Sequence, residues 1–473
     1  MILPYTQEAY QLFHEGAIAL AEVEHNGIRI DTEYLDNAIA TQTARIERLK
    51  NRLQKSEVTE IWKNYYKGRT NLNSNDQLGY VLFEIMKYEC PELTATGRFK
   101  TDEDNLSLVD HPFVKDYLKI KKLEKSLATN LIGIRREVVD GFMHPFFNLH
   151  TTVTFRSSSD SPNFQNIPVR NESVKKLVRQ AIIARPGRRI VELDYSGIEV
   201  AIAACYHKDP TMMSYLKDKS KDMHRDMAMQ SYMMPIEEMT NPISQEDNAR
   251  IKKIRYCGKN MFVFPQFYGD WFLKCAKNLW NAMIQLELKK RDGTPFKEHL
   301  YENGITELGE FDPRDKPKKG TFIHHLQEVE KDFWNVRFPI YNKWRKDWFY
   351  AYQEKGWMLT KTGFICQGMG ERNQIINYPV QGSAFHCLLK SLITLQNRLK
   401  KLKMKSLIIG QIHDSIVSDV PDEELDDFLH LAHQITVDEL KQQWKWIIAP
   451  LEIEAEVTPV DGNWYQKKEM KIE

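Results

Sequence analysis

Two apolar runs, each ending on a carboxylate, limit what this chain can fold into. Arg189–Glu199 reads Arg-Ile-Val-Glu-Leu-Asp-Tyr-Ser-Gly-Ile-Glu and climbs through Ile190, Val191 and Leu193 to Asp194. That spacing predicts a buried strand with Asp194 at its end. Ser406–Val417 reads Ser-Leu-Ile-Ile-Gly-Gln-Ile-His-Asp-Ser-Ile-Val, apolar on both sides of His413-Asp414. This pattern predicts a hairpin with Asp414 at its tip. Two strand-end carboxylates that meet in space can hold a pair of divalent ions, which clamp the attacking and leaving oxygens of an in-line phosphoryl displacement. Mg²⁺ suits that work, because it binds through one or two carboxylates and completes its shell with substrate phosphates. Taken singly, each acid reads equally well as an ordinary turn residue, so the rest of the chain must decide.

A length of 473 residues exceeds one ordinary core and predicts several lobes. Hydrophobic content of 42% with 28% charged residues is that of a water-soluble globular protein. No apolar run is long enough to span a membrane, and Met1-Ile2-Leu3-Pro4 does not open a signal peptide. The six cysteines include no Cys-x-x-Cys pair, which fits free thiols in a reducing compartment. With a net charge of +1, composition alone does not argue for nucleic acid. Lys119–Lys125, Lys252–Lys259 and Arg398–Lys405 are basic clusters that could follow a phosphate backbone. Runs of this kind are more often solvated helix faces.

At the two acids the sequence resembles the family A DNA polymerases, the family of bacterial DNA polymerase I and many phage replicative enzymes. Asp194-Tyr195-Ser196-Gly197-Ile198-Glu199 looks like that family's first catalytic motif, and His413-Asp414 with its following strand looks like the third. The likeness runs along nearly the whole chain in the family's order. It implies an α+β fold, a right-hand polymerase with an antiparallel β palm and mainly helical thumb and fingers. The division expected is residues 1–140 for an N-terminal segment and thumb, 141–205 for the first part of the palm, 206–384 for the fingers and 385–473 for the second part of the palm. The implied activity is DNA-directed DNA polymerisation, extending a primer 3′-hydroxyl with deoxynucleoside triphosphates by two-metal-ion nucleotidyl transfer. Two Mg²⁺ ions are implied, for which Mn²⁺ can substitute. The implied partners are primer–template DNA and deoxynucleotides, with a separate exonuclease or processivity factor as a further partner. No proofreading exonuclease domain is expected in this chain, because nothing upstream of the matching region could form one. A monomer acting without a membrane, in the cytoplasm of a bacterium or phage-infected cell, is expected.

Within this resemblance, Asp194, Asp414 and the Tyr195 carbonyl would hold the metals. Residues 8–55 are predicted helical around a short crossing at Glu22–Asp31, Asn71–Ser74 caps a helix through Glu84, Thr94–Asn105 is a polar loop, and Phe113–Val139 is a long basic helix. Thr154–Arg170 resembles the family's Thr-Gly-Arg-x-Ser-Ser-x-x-Pro-Asn-Leu-Gln-Asn-Ile-Pro segment, with Phe155 in place of the glycine. Its Arg156 would read the primer end in the minor groove, with Asn163 and Gln165 beside it; acceptors there exist at every base pair, so a donor tests shape without asking which pair it is. Glu199 would sit against the incoming sugar and exclude a 2′-hydroxyl. His224, in Asp222-Met-His-Arg, and Arg255-x-x-x-Lys259 would meet the triphosphate. Positions four apart share a helix face, and Lys259 would also protonate the leaving pyrophosphate as a general acid. Tyr268 would stack near the templating base. Lys259 and Tyr268 are one residue further apart than in the family, and a π-bulge ahead of Pro265 is expected to absorb the difference. Counting back from Tyr268 selects Phe264 as the ring on the nucleotide; counting forward from Lys259 gives Val263, with Phe262 close by. Asn377 and Gln381, in Asn-Tyr-Pro-Val-Gln-Gly-Ser-Ala, would contact the template, and His413 the DNA at the catalytic turn.

Two departures stand out. Lys289–Gly320 is charged and Gly/Pro-bearing, and reads as an insertion into the fingers, most simply a surface elaboration. Ser415 stands where most of the family carries glutamate. His-Asp-Ser is also the third motif of single-subunit RNA polymerases, which makes such an enzyme one rival. A non-enzymatic nucleic-acid-binding descendant is the other. Glu199 and the Gln165-Asn-Ile-Pro segment argue against the first, and the retention of Asp194, Arg255, Lys259 and Asp414 argues against the second.

Overall fold

The apolar run Arg188–Tyr195 forms the central strand of a five-stranded antiparallel sheet in the computed structural model, which describes residues 3–90, 92–168 and 172–472. Val169 and Arg170, the end of the Thr154–Arg170 stretch, lie outside the described residues. The strand order is Leu407–Ile412, Ser415–Pro421, Arg188–Tyr195, Ile453–Val457, Lys468–Met470. Ser415–Pro421 is buried at every position, its polar residues Ser415, Ser418 and Asp419 included. Along the central strand Ile190, Val191, Leu193 and Tyr195 are buried while Asp194 is exposed. The hairpin therefore turns at His413-Asp414, as its two apolar runs predict.

Helices Gln7–Asn26, Ile198–His207 and Arg372–Leu402 support this sheet. The last is continuous through Pro379. Proline has no N–H to give the carbonyl four residues back. That carbonyl belongs to Ile375, and the Trp348 indole N–H takes it at 3.1 Å. Trp348 lies on helix Pro339–Lys355, so the proline ties two helices together instead of breaking one.

The sheet and its helices share one large apolar core. A second core, including Val58, Trp62, Leu82, Phe83, Val114 and Tyr117, lies in a separate helical lobe. Helices Thr32–Gln54 and Pro112–Ser126 lead out to it, joined along the way by Ile46, Leu49 and Ile120. The long basic helix expected over Phe113–Val139 is interrupted: residues Leu127–Ile132 are π-helical, Gly133–Glu137 α-helical, and Val138–Val139 pair as a short strand with Phe142–Met143. The polar stretch Thr94–Asn105 ends inside a short helix, Glu103–Leu106, capped by Asp102.

Residues 289–320 are anchored to their neighbours at a few points. Phe296 and Leu300 are fully buried on helix Phe296–Glu302. Arg291 pairs with Asp247 at 3.1 Å and donates to the Thr240 carbonyl at 3.0 Å. The charged composition thus conceals an apolar anchor and an ion pair that fix a largely exposed surface segment. No helix among the described residues is long and apolar enough to cross a membrane.

Candidate active site

Sheet register brings the two strand-end acids together. Ser415, the residue after Asp414, lies directly opposite Asp194, and the Tyr195 amide donates to the Asp414 carbonyl at 3.1 Å. The Tyr195 side chain points away into the core, where its hydroxyl donates to the Thr436 carbonyl at 2.9 Å and meets Ser391 Oγ at 2.8 Å. The Asp194 carboxyl is pushed up to about 7, first by desolvation and then by the charge of Asp414, with Glu192 and Glu454 adding to it. Asp414 is raised too by burial, against the pull of Arg156 and His413. Its Oδ1 is buried and finds no hydrogen-bond donor among the described residues. Two crowded carboxylates, Asp194 open to solvent and Asp414 half-buried with an orphaned oxygen, fit a divalent cation well. Among the described residues no group of three or more His, Cys, Asp or Glu side chains converges to hold a metal. Such an ion would depend on these two acids, backbone oxygen and a phosphate-bearing substrate.

Asp414 also lines a cleft of about 370 Å³. Arg156, Glu199, His224, Lys259, Phe264, Tyr268, Asn377, Gln381 and His413 line the same cleft. Residues spread over more than half of the chain are thus gathered in one place. Glu199 sits in the first turn of helix Ile198–His207, where the helix dipole favours an acid. One carboxylate oxygen is ion-paired to Arg156, and the other accepts from the Tyr268 hydroxyl at 2.6 Å. Arg156 also lies 3.9 Å from Asp414 Oδ1.

The opposite wall is built from helix Met223–Tyr232 and the segment after helix Gln245–Cys257. Residues Gly258–Val263 are π-helical, the widened turn that the extra residue requires. Phe264 follows it and faces the cleft, whereas Phe262 is fully buried against Phe333. Gly258 lets the two helices touch: a Cβ there would lie 2.3 Å from the His224 carbonyl oxygen. His224 meets the Phe264 ring edge-on at 5.7 Å, and Lys259 Nζ lies 5.1 Å from that ring's centroid. Burial, helped by the Arg255 charge, lowers the His224 imidazole to about 4, so the ring is neutral near pH 7. Lys259 forms no ion pair among the described residues and is free for an anion.

Five expected residues do not line the cleft: Asp194, which stands beside the Asp414 turn on the central strand, Tyr195, whose ring turns into the core, and Arg255, Asn163 and Gln165. Arg255 is half-exposed and paired with Asp222 at 2.5 Å, because Asp222 also caps the His224 helix and lies within its reach. Asn163 is bonded to Ser159 Oγ at 3.2 Å. Gln165 is buried, with its amide nitrogen donating to Ser157 Oγ at 2.7 Å and Gln411 Oε1 at 2.6 Å. A buried amide must be satisfied, and these bonds use both of its hydrogens.

Phe155 keeps a left-handed backbone, φ 64°, where the family resemblance expects glycine. Its ring packs into the core against Phe364 and His386, and Gly382 makes room: a Cβ on Gly382 would lie 2.8 Å from Phe155 Cδ2. The sequence reading missed Glu454, which lies opposite Asp194 on the other flanking strand and accepts from Ser196 Oγ at 2.7 Å. It also missed Tyr341 and Phe267, which line the cleft with apolar surface. Strand pairing and helix packing reveal these residues, and local motifs do not.

The profile described as DNA polymerase family A matches residues 39–258 and 359–466, more than half of the chain. DNA polymerase I of Geobacillus stearothermophilus is 25% identical over 457 residues, covering 95% of this chain and 45% of that protein. The DNA polymerase of Bacillus phage SP01 is 26% identical over 471 residues, covering 87% of this chain and 45% of the phage protein. The chain therefore spans about half the length of the curated relatives it matches. Among solved structures, the POL domain of Pol1 from M. smegmatis, in complex with DNA primer-template and dNTP, superposes with a TM-score of 0.69 at 23% identity. That likeness covers 96% of this chain and 70% of the other. The fold is thus the right-hand polymerase fold, with the antiparallel sheet as its base.

Proposed function

The chain belongs to DNA polymerase family A, and on that premise we propose that it extends a primer on a DNA template, joining deoxynucleotides to the 3′-hydroxyl and releasing pyrophosphate. One observation carries the reading: Asp194 and Asp414 meet across adjacent strands, and Asp414 lines a cleft together with His224 and Lys259. In this reading residues 1–140 are the N-terminal segment and thumb, 141–205 and 385–473 the palm, and 206–384 the fingers.

Two Mg²⁺ ions, held by Asp194, Asp414 and the Tyr195 carbonyl, would supply charge neutralisation at the α-phosphate and at the departing oxygen. The chain's own groups do the rest. Lys259, with no acid partner among the described residues, neutralises the triphosphate and hands a proton to the leaving pyrophosphate. Neutral His224 donates one N–H to a phosphate oxygen. Arg255 joins them by exchanging Asp222 for phosphate. Phe264 packs on the base and sugar. Tyr268 and Glu199 hold the space of the incoming pair between them, and Glu199 excludes a 2′-hydroxyl there. Arg156 and His413 touch the DNA at the primer end, Asn377 and Gln381 contact the template, and Asn163 and Gln165 brace the Arg156 loop. The reaction draws on the DNA and nucleotides of a bacterial or phage-infected cytoplasm.

Primer extension with Mg²⁺ and either deoxy- or ribonucleotides tests this. Extension with deoxynucleotides and far slower extension with ribonucleotides is expected. Preferential use of ribonucleotides would favour an RNA polymerase. A folded protein that binds primer–template and adds nothing would overturn the enzymatic reading.

A further inference from the structure

We infer that Gln411 is a positioning residue that links the loop reading the primer end to the turn carrying Asp414, so that a mispaired end disturbs the catalytic carboxylate. The inference rests on the activity proposed above.

Gln411 lies near the end of strand Leu407–Ile412, and only 2% of it is exposed. An amide buried this deeply is costly unless all its polar atoms are paired. Here they are. Its Nε2 donates to the His413 carbonyl at 2.6 Å. Its Oε1 accepts from Ser157 Oγ and from Gln165 Nε2, each at 2.6 Å. Gln165 Nε2 also donates to Ser157 Oγ at 2.7 Å, which closes a triangle of three side chains. The amide orientation follows from chemistry: the atom facing the His413 carbonyl must carry hydrogen.

This network joins segments far apart in sequence. Ser157 follows Arg156, and Asp414 follows His413. The Arg156 loop thus reaches the catalytic turn in two ways: its guanidinium lies 3.9 Å from Asp414 Oδ1, within range of the charge but not of a hydrogen bond, and Ser157 is bonded through Gln411 to the backbone of His413. His413 has φ 48°, a left-handed conformation that non-glycine residues keep only where surroundings hold them. The Gln411 bond to its carbonyl is one such hold. A primer end of the wrong shape displaces Arg156, and Ser157 moves with it. Gln411 then carries the displacement to the turn. A matched end leaves the network at rest and Asp414 in place.

The test compares single-turnover extension from matched and mismatched primer ends in wild type, Gln411→Leu and Ser157→Ala, with melting temperature measured on each. Ser157→Ala leaves the hairpin strand intact, so it answers the question even where Gln411→Leu folds poorly. Matched-end extension is expected to fall about 10- to 100-fold, the scale of a small misplacement of reacting groups. Mismatched-end extension should change little, because the mismatch has already broken the link, so discrimination falls. The double variant should discriminate no worse than Gln411→Leu alone. Equal losses at matched and mismatched ends would make Gln411 a purely structural residue and overturn the inference, as would unchanged rates. A wild type that does not extend matched primers would overturn the proposed activity and this link together; a wild type that extends and discriminates, with variants that discriminate equally well, would overturn the link alone.

Discussion

His386 sits in a box of aromatic rings, 4.2 Å from Phe364, 5.5 Å from Phe13 and 6.2 Å from Phe155, and is completely buried. Burial depresses its imidazole to about 3. The unfolded chain titrates near the ordinary value of about 6.5. Between those two values the unfolded state binds the extra proton, so stability is full above the upper one and is lost as pH falls toward the lower. The slope is roughly 1.4 kcal/mol per pH unit for one proton. His386→Phe should flatten the acid limb of a stability–pH curve by about one proton, measured by urea unfolding from pH 7 to 4. An unchanged limb would mean that this histidine is not the one responsible. The residue scale is also where sequence reading succeeds and fails most sharply. Asp194 and Asp414 are legible because an acid closing an apolar run is conspicuous. Gln411 was equally visible as the polar residue inside an apolar strand, but its meaning depends on Ser157, 254 positions away. Arg255 and Gln165 match a motif in type and spacing, yet their orientation is set by Asp222 and Gln411, which no local pattern specifies.

At the scale of elements, the wall facing the two acids depends on how closely two helices approach. Gly258 on the π-helical segment meets the backbone of His224 and the methyl group of Ala228, neither of which can swing aside. Gly258→Ala must push the helices apart, at about 1–3 kcal/mol for overpacking. Because His224 and Lys259 lie on the two sides of this contact, the nucleotide KM should rise severalfold while primer–template affinity stays unchanged. Steady-state titration of a single nucleotide checks this; an unaltered KM would show that the helices accommodate the methyl group. The π-helical turn itself was readable from the one-residue surplus between Lys259 and Tyr268, since a helix can absorb an extra residue only by widening locally. Val138–Val139, by contrast, carried helix-compatible spacing and became a strand through pairing with Phe142–Met143, a partner that periodicity cannot reveal.

Across the whole molecule, length predicted several lobes, but which residues build the second core was not legible in the sequence. Apolar spacing marks the helices between residues 56 and 118 but does not tell which core each one faces. Trp62 anchors that lobe, fully buried with its indole N–H donating to Gln77 Oε1 at 2.8 Å. Trp62→Ala should cost about 3–5 kcal/mol. Hydrogen exchange should then accelerate across 58–117 while strands 188–195 and 415–421 stay protected; a uniform increase would mean that the two cores unfold as one. The sheet, its hairpin and most of the cleft residues were legible because their chemistry demands particular residue types in a fixed order. Lobe packing, the burial of Phe296 and the position of Glu454 beside Asp194 depend on tertiary contact alone. The central claim is that Asp194 and Asp414 together carry nucleotidyl transfer. It is tested most directly by single-nucleotide incorporation in Asp194→Asn and Asp414→Asn, with primer–template binding measured on the same samples. The account predicts binding close to wild type and incorporation slower by about 10³-fold or more, as when a group stabilising transition-state charge is removed. Incorporation near the wild-type rate in either variant would contradict it.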